Sequence, residues 1–387
     1  MTDVLFSVII VNWNGKEFLG HCIDSVISQS IPRSHYEVIV VDNASSDGSA
    51  EYVKQKYPDV MLIQNTTDRW FAGGNNDAFN VGRGKYFALL NNDAVADYHW
   101  LESIKREFEN HPNTGIISSK VFVWDRGNPA FEESNPIGVS WSKLGAWTCL
   151  GFHFADERPR HKVDYALGAA MAIRKSVYSA IGGFDEAYLA YYEETDLCAR
   201  AIRAGFDIMY LPAAKAWHRS MASFQAIPTF PLRMMVRNRI RFALKNFDAG
   251  YLISFTILYV LEIAAKVAVL APWNLFAFFK KLSENDHSAP SPGIEFYWAL
   301  QVRNMPYAVW WNLSNLAETL ARRKRDNTRA GSRRYNENLP LRNVWVTQFS
   351  MGRLLAICLS RSRRRHMTQA ECVSHQDSLD YKGDLRR

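Results

Sequence analysis

The stretch LLNNDAVADYHW, residues 89–100, begins as a hydrophobic strand and runs straight into Asn91, Asn92 and Asp93. Two interpretations of these polar residues are open: they form a turn and a helix cap, or they hold a ligand at the edge of a sheet. The choice between them depends on what the neighbouring strands do.

Short runs rich in Val, Ile and Leu alternate with stretches of helical period up to about residue 120. Near-continuous apolar runs are typical of parallel strands buried on both faces, with right-handed helical crossovers between them. The pattern predicts an open, mostly parallel α/β sheet flanked by helices. The predicted strands are residues 5–12, 36–42, 60–65, 85–91 and 114–119, and the predicted helices are residues 16–28, 48–56, 74–82 and 98–109.

Four successive predicted strands end in Asn or Asp. In open α/β sheets the ligand crevice lies beyond the carboxyl ends of the strands. A turn or a cap explains one such end on its own, but four at the same edge favour a binding site. The residues are Asn12 and Asn14, Asp42 and Asn43, Asn65, and Asn91 to Asp93.

Regular structure is predicted again over residues 165–218, where a strand of small residues leads through a helix to GGFDE. The segment EETDLCARAIRAGF then forms a helix with acidic residues in its first turn and Gly205 as its C-cap. The intervening residues 121–165 are irregular and aromatic, and we expect them to form loops over the site.

Composition limits the class of protein. With 387 residues, of which 48% are hydrophobic, the chain can bury a large core. The formal charge of +7 suggests an anionic partner but does not say which kind. Five cysteines without a CxxC pair indicate neither a disulfide framework nor a zinc site, so a reducing cytoplasm fits. The N-terminus has no basic n-region, so we interpret it as a first strand and not as a signal peptide.

Six segments, in this order, resemble the inverting glycosyltransferases of family 2, which have the GT-A (nucleotide-diphospho-sugar transferase) fold. The resemblance covers residues 5–245 and points to bacterial enzymes that transfer rhamnose or similar sugars to lipid-linked or cell-surface glycans. It implies a nucleotide-sugar donor, with a dTDP- or UDP-sugar expected, and a glycan or polyprenyl-linked acceptor in cell-surface polysaccharide synthesis. The segments are SVIIVNWN, VIVVDNASSDGS, FAGGNNDAFN, ALLNNDAV, GGFDE and YYEETDLCARAIRAGF.

The chain departs from the family pattern in three places. Glu193-Glu194 stands where the family usually has Glu-Asp, and Asn91-Asn92-Asp93 stands where it often has Asp-x-Asp. The glycine-rich segment usually begins Asn-x-Gly-Phe, whereas this chain has residues 68–71, Asp-Arg-Trp-Phe. Trp70 is far bulkier than Gly, which bears on the preferred donor.

By the resemblance, Asp93 is the metal-binding residue. A divalent metal that bridges two phosphates neutralises the charge developing on the leaving group. Mg²⁺ or Mn²⁺ needs few carboxylates when phosphate oxygens and waters complete its shell. His218 matches a histidine that approaches the metal or diphosphate in related enzymes, and Arg219 is a candidate phosphate contact. The alternatives are that Asp93 caps the helix over 98–109 and that His218 is structural.

Asp42 resembles the residue that recognises the base, because a carboxylate can accept a hydrogen bond from a pyrimidine ring N–H. An ordinary strand-end turn is the alternative. The glycines of AGGNN, residues 72–76, are predicted to open a helix and to let its backbone approach an anion, although such clusters also occur in plain loops. The other residues expected to contact the nucleotide are Val11, Asn12, Asn14, Asn65, Gly74, Asn75, Asn91 and Asn92.

Inversion at the anomeric carbon is a single in-line displacement, so a base must take the proton of the acceptor hydroxyl. Glu194 stands where the family keeps its catalytic Asp, and the resemblance implies that it is this base. Glu193 and Asp196 would organise it. The alternative is that these acids only complement the helix dipole.

Residues 251–279 are long and apolar enough to raise the question of a transmembrane span. Glu262 and Lys266 oppose a span, because each would cost about 2.5–3.5 kcal/mol at the bilayer centre, and Pro272 interrupts the run. We expect an amphipathic helix lying in the plane of an anionic membrane surface, with residues 307–325 as a second candidate. Packing on the catalytic domain, or a homo-oligomer interface, is the alternative.

The predicted organisation is a catalytic domain over 1–245, a helical, membrane-associated region over 246–330, and a basic polar tail over 331–387 that is partly disordered. We expect the protein to be cytoplasmic and peripheral on the inner face of the cell membrane.

Two other functions remain open. A sugar nucleotidyltransferase usually needs a glycine-rich basic loop after its first strand, and VNWNGKEF lacks the length and charge for it. A non-catalytic membrane-associated module of the same fold is disfavoured by the intact Asp42, Asp93 and Glu194. Nucleic-acid binding is not expected, because the basic residues cluster in the C-terminal third without a stacking platform.

Overall fold

The computed structural model describes residues 4–123, 136–137, 159–219, 229–270 and 294–330. Most of the segment predicted to form loops over the site lies outside these residues, as does the whole predicted tail over 331–387. Pro272, which was predicted to interrupt the apolar run, also lies outside them.

The strands are β1 (Phe6–Asn12), β2 (Tyr36–Asn43), β3 (Met61–Asn65), β4 (Tyr86–Leu90), β5 (Ala94–Ala96), β6 (Thr114–Val123), β7 (Pro136–Ile137), β8 (His161–Val163), β9 (Ala170–Arg174) and β10 (Asp207–His218). The helices are α1 (Lys16–Ile27), α2 (Ser49–Lys56), α3 (Trp70–Val81), α4 (Trp100–Asn110), α5 (Lys175–Ile181), α6 (Glu193–Arg203), α7 (Thr229–Asn246), α8 (Ala249–Leu270), α9 (Ile294–Ser314) and α10 (Leu316–Ala330). Short 3-10 helices lie at Arg33–His35 and Glu186–Tyr188.

These strands form one mixed sheet in the order β3-β2-β1-β4-β9-β6-β10-β5, with β7 beside β6 and β8 beside β10. Strands β3, β2, β1 and β4 are parallel to one another, and β6 is parallel to β10. Between these two groups, β9 runs antiparallel to both β4 and β6. The prediction of a mostly parallel open sheet flanked by helices is confirmed. The strand of small residues predicted before GGFDE is β9, and its antiparallel direction is what the sequence pattern did not reveal.

Each face of the sheet has its own hydrophobic core, because successive side chains of a strand point to opposite faces. In β2, Val38 and Val40 belong to one core, whereas Ile39 and Val41 belong to the other. Burial on both faces explains the continuous apolar runs from which the strands were predicted.

Helix α3 begins at Trp70, four residues before the predicted start at residue 74. The side chain of Asp68 accepts a hydrogen bond from the Trp70 backbone N–H at 2.7 Å and so fixes the earlier start. Gly74 therefore lies inside the helix. A Cβ atom there would come within 2.7 Å of Val11 Cγ1, so glycine lets α3 pack closely against β1.

In the C-terminal third, α7 packs against α6, α8, α9 and α10. Helix α8 is the one helix among the described residues that is long and apolar enough to cross a membrane, with a mean hydropathy of 1.7 over Ala249–Ala268 and 25% of that stretch buried. Length and composition alone do not separate a span from a core helix or from a helix that lies on a membrane.

Candidate active site

A buried asparagine joins the carboxyl ends of β1 and β2 to the segment after β4. Asn12 Nδ2 donates to Asp42 Oδ2 at 2.9 Å, and Asn12 Oδ1 accepts from Asn92 Nδ2 at 2.8 Å. The parallel register places Asn12 directly beside Asp42. All three side chains are buried. The structure thus brings together three residues predicted to bind the nucleotide, and their role in binding stays a prediction.

Asp42 also closes the turn that follows β2. Asp42 Oδ1 accepts from the Ser45 backbone N–H at 3.0 Å. Ser45 Oγ in turn accepts from the Asn14 backbone N–H at 2.9 Å, and Asn14 Oδ1 accepts from the Ser46 backbone N–H at 2.8 Å. Asp42 therefore has a structural role in the turn. Each carboxylate oxygen retains a second lone pair, so the same group can still accept from a base.

Ser45 is a member of this site that the sequence prediction missed. Its hydroxyl accepts from Asn12 Nδ2 at 3.2 Å as well as from Asn14. An Asp followed three residues later by Ser is a common turn pattern, and it is the signal in the sequence that could have pointed to Ser45.

Asn65, at the end of β3, belongs to a second polar group. Asn65 Nδ2 donates to Asn43 Oδ1 and to Asp77 Oδ2, both at 3.0 Å. Asp77 also accepts from Arg69 Nε at 2.7 Å, and Asn43 Nδ2 donates to the Trp70 carbonyl at 3.0 Å. These bonds fasten the outer strands to the start of α3.

The remaining nucleotide candidates contribute mainly to packing. Val11 contacts Gly74 where α3 approaches β1. Asn75 is buried and donates from Nδ2 to the Phe71 carbonyl at 2.8 Å, inside its own helix. Their predicted contacts with a nucleotide stay predictions.

Asp93, Asn91 and His218 converge at the other side of this edge. The end of β10 runs antiparallel to β5, which pairs His218 with Ala94. His218 Nε2 lies 3.0 Å from Asp93 Oδ1 and 3.1 Å from Asn91 Nδ2. The residue next along the chain, Arg219, donates its backbone N–H to the Asp93 carbonyl at 3.0 Å.

Asp93 does not cap α4. That helix begins at Trp100, and the side chain of Asp97 accepts from the His99 backbone N–H at 2.8 Å. Within the described ranges no group of three or more His, Cys, Asp or Glu could hold a metal ion by itself. One carboxylate beside one imidazole fits a divalent ion that takes its other ligands from phosphate and water.

Glu193 and Glu194 open α6 directly after a segment of unusual backbone. Leu189, Tyr191 and Tyr192 have φ angles of 64°, 67° and 74°, in the left-handed region that side chains other than glycine rarely adopt. Oε2 of each glutamate is buried and has no hydrogen-bond partner in the described part of the chain. The position of both carboxyl groups therefore depends on the backbone that carries them.

The surroundings of the two glutamates favour their neutral forms. Burial raises the pKa of Glu194 to about 7. Burial, followed by the neighbouring charge of Glu194, raises the pKa of Glu193 well above its usual range. Burial and the charge of Glu194 also raise the pKa of Tyr165, and burial and both glutamate charges raise the pKa of Tyr191. A carboxyl group with a pKa near 7 is well suited to accept a proton at neutral pH.

Asp196 lies two residues further along α6 and is fully buried. Although burial acts in the opposite direction, the positive charges of Lys245 and Arg200 hold the pKa of the Asp196 carboxyl well below its usual range. This residue therefore stays ionised and connects α6 to α7.

Residues 165–169 connect the helix that carries Glu193 and Glu194 to the strand end that carries Asp93. At one end, the Ala166 backbone N–H donates to Cys198 Sγ of α6 at 3.3 Å, next to Tyr165. At the other end, the Ala169 carbonyl accepts from the Asn91 backbone N–H at 3.0 Å. This short segment links the helix of Glu194 to the strand end of Asp93.

Comparison with known proteins gives the class. Residues 7–182 match the model of the family described as Glycosyl transferase family 2. The chain is 27% identical over 247 residues to the low-salt glycan biosynthesis hexosyltransferase Agl10 of Haloferax volcanii, covering 60% of this chain and 76% of that protein. It is 24% identical over 245 residues to an N-acetylglucosaminyl-diphospho-decaprenol L-rhamnosyltransferase of Mycobacterium tuberculosis, covering 58% and 78%.

The fold matches that of a mannosyltransferase, PcManGT from Pyrobaculum calidifontis, solved in complex with GDP-Man and Mn²⁺. The TM-score is 0.50 at 18% identity, covering 80% of this chain and 86% of that chain. The protein has the GT-A fold, and its residues 7–182 match glycosyl transferase family 2. Both expectations from the sequence are confirmed, whereas the rhamnosyltransferase-like branch stays a prediction.

The substitution Glu194→Gln tests the burial of this carboxyl group. Its folded-state pKa of about 7 lies above the value of about 4.3 for an unfolded chain. Folding therefore favours the protonated form, and stability is lost as the pH rises through the folded-state pKa. Glutamine carries no charge, so Glu194→Gln should raise the melting temperature more at about pH 8 than at about pH 5.5.

The control is Glu51→Gln, which changes an exposed glutamate in the first turn of α2. Its effect on the melting temperature should be small and equal at both pH values. Equal effects of Glu194→Gln at both values would contradict the burial of an ionisable Glu194.

Proposed function

We propose that the protein transfers a sugar from a nucleoside-diphosphate donor to a glycan or lipid-linked acceptor, with inversion at the anomeric carbon and with a bound divalent metal. The observation that carries this proposal is the pairing of Asp93 with His218 at the polar edge of the sheet, at 3.0 Å. The named activity of the Mycobacterium tuberculosis relative, which acts on a diphospho-decaprenol acceptor, supports the lipid-linked alternative.

The donor nucleotide would lie along the strand ends. In this proposal Asp42 accepts from the base, Val11, Asn12 and Asn14 frame it, and Asn91 and Asn92 contact the ribose or a phosphate. Asn65, Gly74 and Asn75 complete the predicted contacts from the outer strand and α3. We expect a dTDP- or UDP-sugar.

Asp93 and His218 would hold Mg²⁺ or Mn²⁺, whose chemical contribution is to neutralise the charge on the departing diphosphate. The complex of PcManGT with GDP-Man and Mn²⁺ supports a metal in a protein of this fold. The oxygens of the Asp93 carboxylate and an imidazole nitrogen of His218 are the donor types that such an ion accepts.

Glu194 would act as the general base. Its ionised carboxylate takes the proton of the acceptor hydroxyl while the acceptor oxygen bonds to the anomeric carbon and the bond from that carbon to the diphosphate breaks. Burial and the charge of Glu194 raise the pKa of Glu193 well above its usual range, which favours a protonated Glu193 beside the ionised base. A single negative charge on the two buried carboxyl groups costs less electrostatic free energy than two charges would.

The two other functions receive less support from the geometry. Only Trp13–Gly15 separate β1 from α1, which leaves no length for the glycine-rich basic loop of a nucleotidyltransferase. A non-catalytic module would have no reason to keep Asp93, His218 and a glutamate with a pKa near 7 in this arrangement.

We also propose that the outer face of α8 and α9 lies on an anionic membrane surface, at the inner face of the cell membrane. Exposed apolar side chains of both helices form this face, each between 51% and 66% exposed: Ile253, Ile257, Val260, Trp310 and Leu313. The charged residues that argued against a span point inward. Glu262 pairs with Arg239 at 3.0 Å, and the buried Lys266 contacts Gln301 at 2.5 Å.

The predicted catalytic roles are tested with Asp93→Ala and Glu194→Gln. UDP-, dTDP- and GDP-sugars are supplied with Mn²⁺, and donor hydrolysis without acceptor is measured. Each substitution should reduce turnover at least about 100-fold. General-base catalysis by Glu194 contributes that much or more, and loss of the Asp93 carboxylate removes a ligand of the metal that stabilises the departing diphosphate. Glu194→Gln should still bind the nucleotide, seen as a raised melting temperature.

Asp97→Ala is the matched control, since it removes a carboxylate four residues from Asp93 and outside the strand-end network. It should keep its turnover. Full turnover in both site variants would contradict the assignment, and so would a wild-type protein that cleaves no donor and gains no thermal stability from any of them.

The membrane surface is tested by sedimentation with vesicles of phosphatidylcholine and phosphatidylglycerol. The double substitution Trp310→Ser and Leu313→Ser should weaken binding at least about 10-fold, because each large side chain contributes about 1.5–3 kcal/mol when buried. Met61→Ser and Tyr98→Ser, which change exposed apolar residues elsewhere, should have no effect. A wild-type protein that ignores the vesicles, or a double variant that instead dissociates a dimer, would contradict this proposal.

A further inference from the structure

The backbone that presents Glu193 and Glu194 is held from one side by α7. The residues just before α6 include Leu189, Tyr191 and Tyr192 in the left-handed region. Such a conformation is unfavourable for residues with a Cβ atom and persists only where the surroundings impose it. Three such residues within four positions therefore require a strong external constraint.

Asn238 supplies that constraint. Its side chain is fully buried in α7. From there Nδ2 donates to three backbone carbonyl oxygens of the left-handed segment, namely those of Tyr188 at 2.8 Å, Ala190 at 2.8 Å and Tyr191 at 2.7 Å. An amide side chain has two N–H groups, so all of its donor capacity is used on this one segment.

The neighbouring residue Arg237 fixes the orientation of the Asn238 amide. Arg237 Nε donates to Asn238 Oδ1 at 2.8 Å, which directs the amide nitrogen toward the segment. Arg237 Nη2 donates to the carbonyls of Ala187 at 2.9 Å and Tyr188 at 2.6 Å. Both residues of α7 thus act on the same short piece of backbone.

The last turn of α7 contacts acidic residues on both sides of the glutamate pair, Asp185 before it and Asp196 after it. Lys245 Nζ lies 2.8 Å from Asp196 Oδ2 and 2.9 Å from Asp185 Oδ2, and all three side chains are buried. Asn246 Nδ2 donates to Asp196 Oδ1 at 2.9 Å. Helix α7 therefore binds side chains that lie before Glu193 and after Glu194 in the sequence.

We infer that Asn238 is a positioning residue for Glu194: by holding the carbonyls of residues 188–191 it sets where the Glu194 carboxyl group lies. This inference rests on the proposed function, in which Glu194 is the base. Among the residues that the structure describes, Oε2 of each glutamate has no hydrogen-bond partner. A shift of the preceding backbone would therefore pass directly to the base, and a displacement of about 1 Å can reduce turnover about 100-fold.

The test uses the full chain with Asn238→Ala. Turnover of the donor that the wild-type protein cleaves with Mn²⁺ should fall at least about 10-fold while the donor KM stays within about 2-fold, because the donor contacts lie elsewhere. The pH of half-maximal turnover should fall below that of the wild-type protein, since a loosened segment admits water to Glu194. Without any ligand, hydrogen exchange of amides 189–196 should become faster.

Two further variants separate positioning from general loss of stability. Asn304→Ala removes another buried asparagine of the same helical region, whose side chain bonds to Leu300 and Arg233 and not to residues 188–191 within the described ranges. It should lower the melting temperature without changing turnover, the pH profile or exchange at 189–196. Adding Leu189→Gly to Asn238→Ala should restore part of the turnover, because glycine adopts a positive φ without strain.

The inference is overturned if Asn238→Ala changes turnover no more than Asn304→Ala does, or if exchange over 189–196 is unaltered. If the wild-type protein cleaves no donor, the proposed function fails and the role of Asn238 as a positioning residue for catalysis fails with it. Normal turnover in Asn238→Ala, together with loss of turnover in Glu194→Gln, would remove this inference alone and leave the proposed function standing.

Discussion

The polar edge of the sheet depends on one buried side chain, Asn12, which bonds to neighbours on both sides. Parallel pairing brings the carboxyl ends of β1 and β2 to the same edge, and the amide of Asn12 then donates to Asp42 and accepts from Asn92. A buried amide with unsatisfied groups would be costly, so these bonds fix the relative position of three strand ends. The cleft proposed for the nucleotide is built on this arrangement.

Helix α6, which carries Glu193 and Glu194, is positioned by contacts with α7 and not by strand pairing. The sheet places Asp93 and His218 next to each other at strand ends, whereas Glu194 follows a left-handed segment that lies outside the strands. Contacts from α7 stabilise that segment and bind Asp196. Helix α7 therefore helps to hold the segment before Glu194. The predicted domain boundary after residue 245 falls at the end of this helix, and the division into domains stays a prediction.

Local patterns were enough to predict β1 to β4 and β6, because strands buried on both faces need continuous apolar runs. The short strands β5, β7 and β8 have two or three residues each and carry no such run. Local patterns were not enough for the start of α3, where the Asp68 side chain begins the helix at Trp70 within a segment that departs from the family pattern. The reversed direction of β9 is fixed by pairing with β4 and β6, which are distant in sequence.

The candidate site shows the same limit. The acidic residues of the site were predicted from strand ends and from the EETD pattern. The described side chains that bond to Asp196 include Lys245, Arg200 and Asn246. Its predicted role in organising Glu194 stays a prediction. Asn238 lies 47 to 50 residues after the backbone carbonyls to which it donates. The sequence of its helix indicates only a packed helix. No local signal marks such a residue, because its function depends on a tertiary contact.

In the proposed function, residues 12, 42 and 92 line the binding site for the nucleotide of an activated sugar, and Asp93 binds the metal beside it. Crystals grown with Mn²⁺ and, in turn, UDP, dTDP or GDP test this directly through the anomalous signal of manganese. The account predicts a manganese peak coordinated by the Asp93 carboxylate, with the base of at least one nucleotide against Asp42. A peak bound away from Asp93, or nucleotide density outside this edge of the sheet, would contradict it.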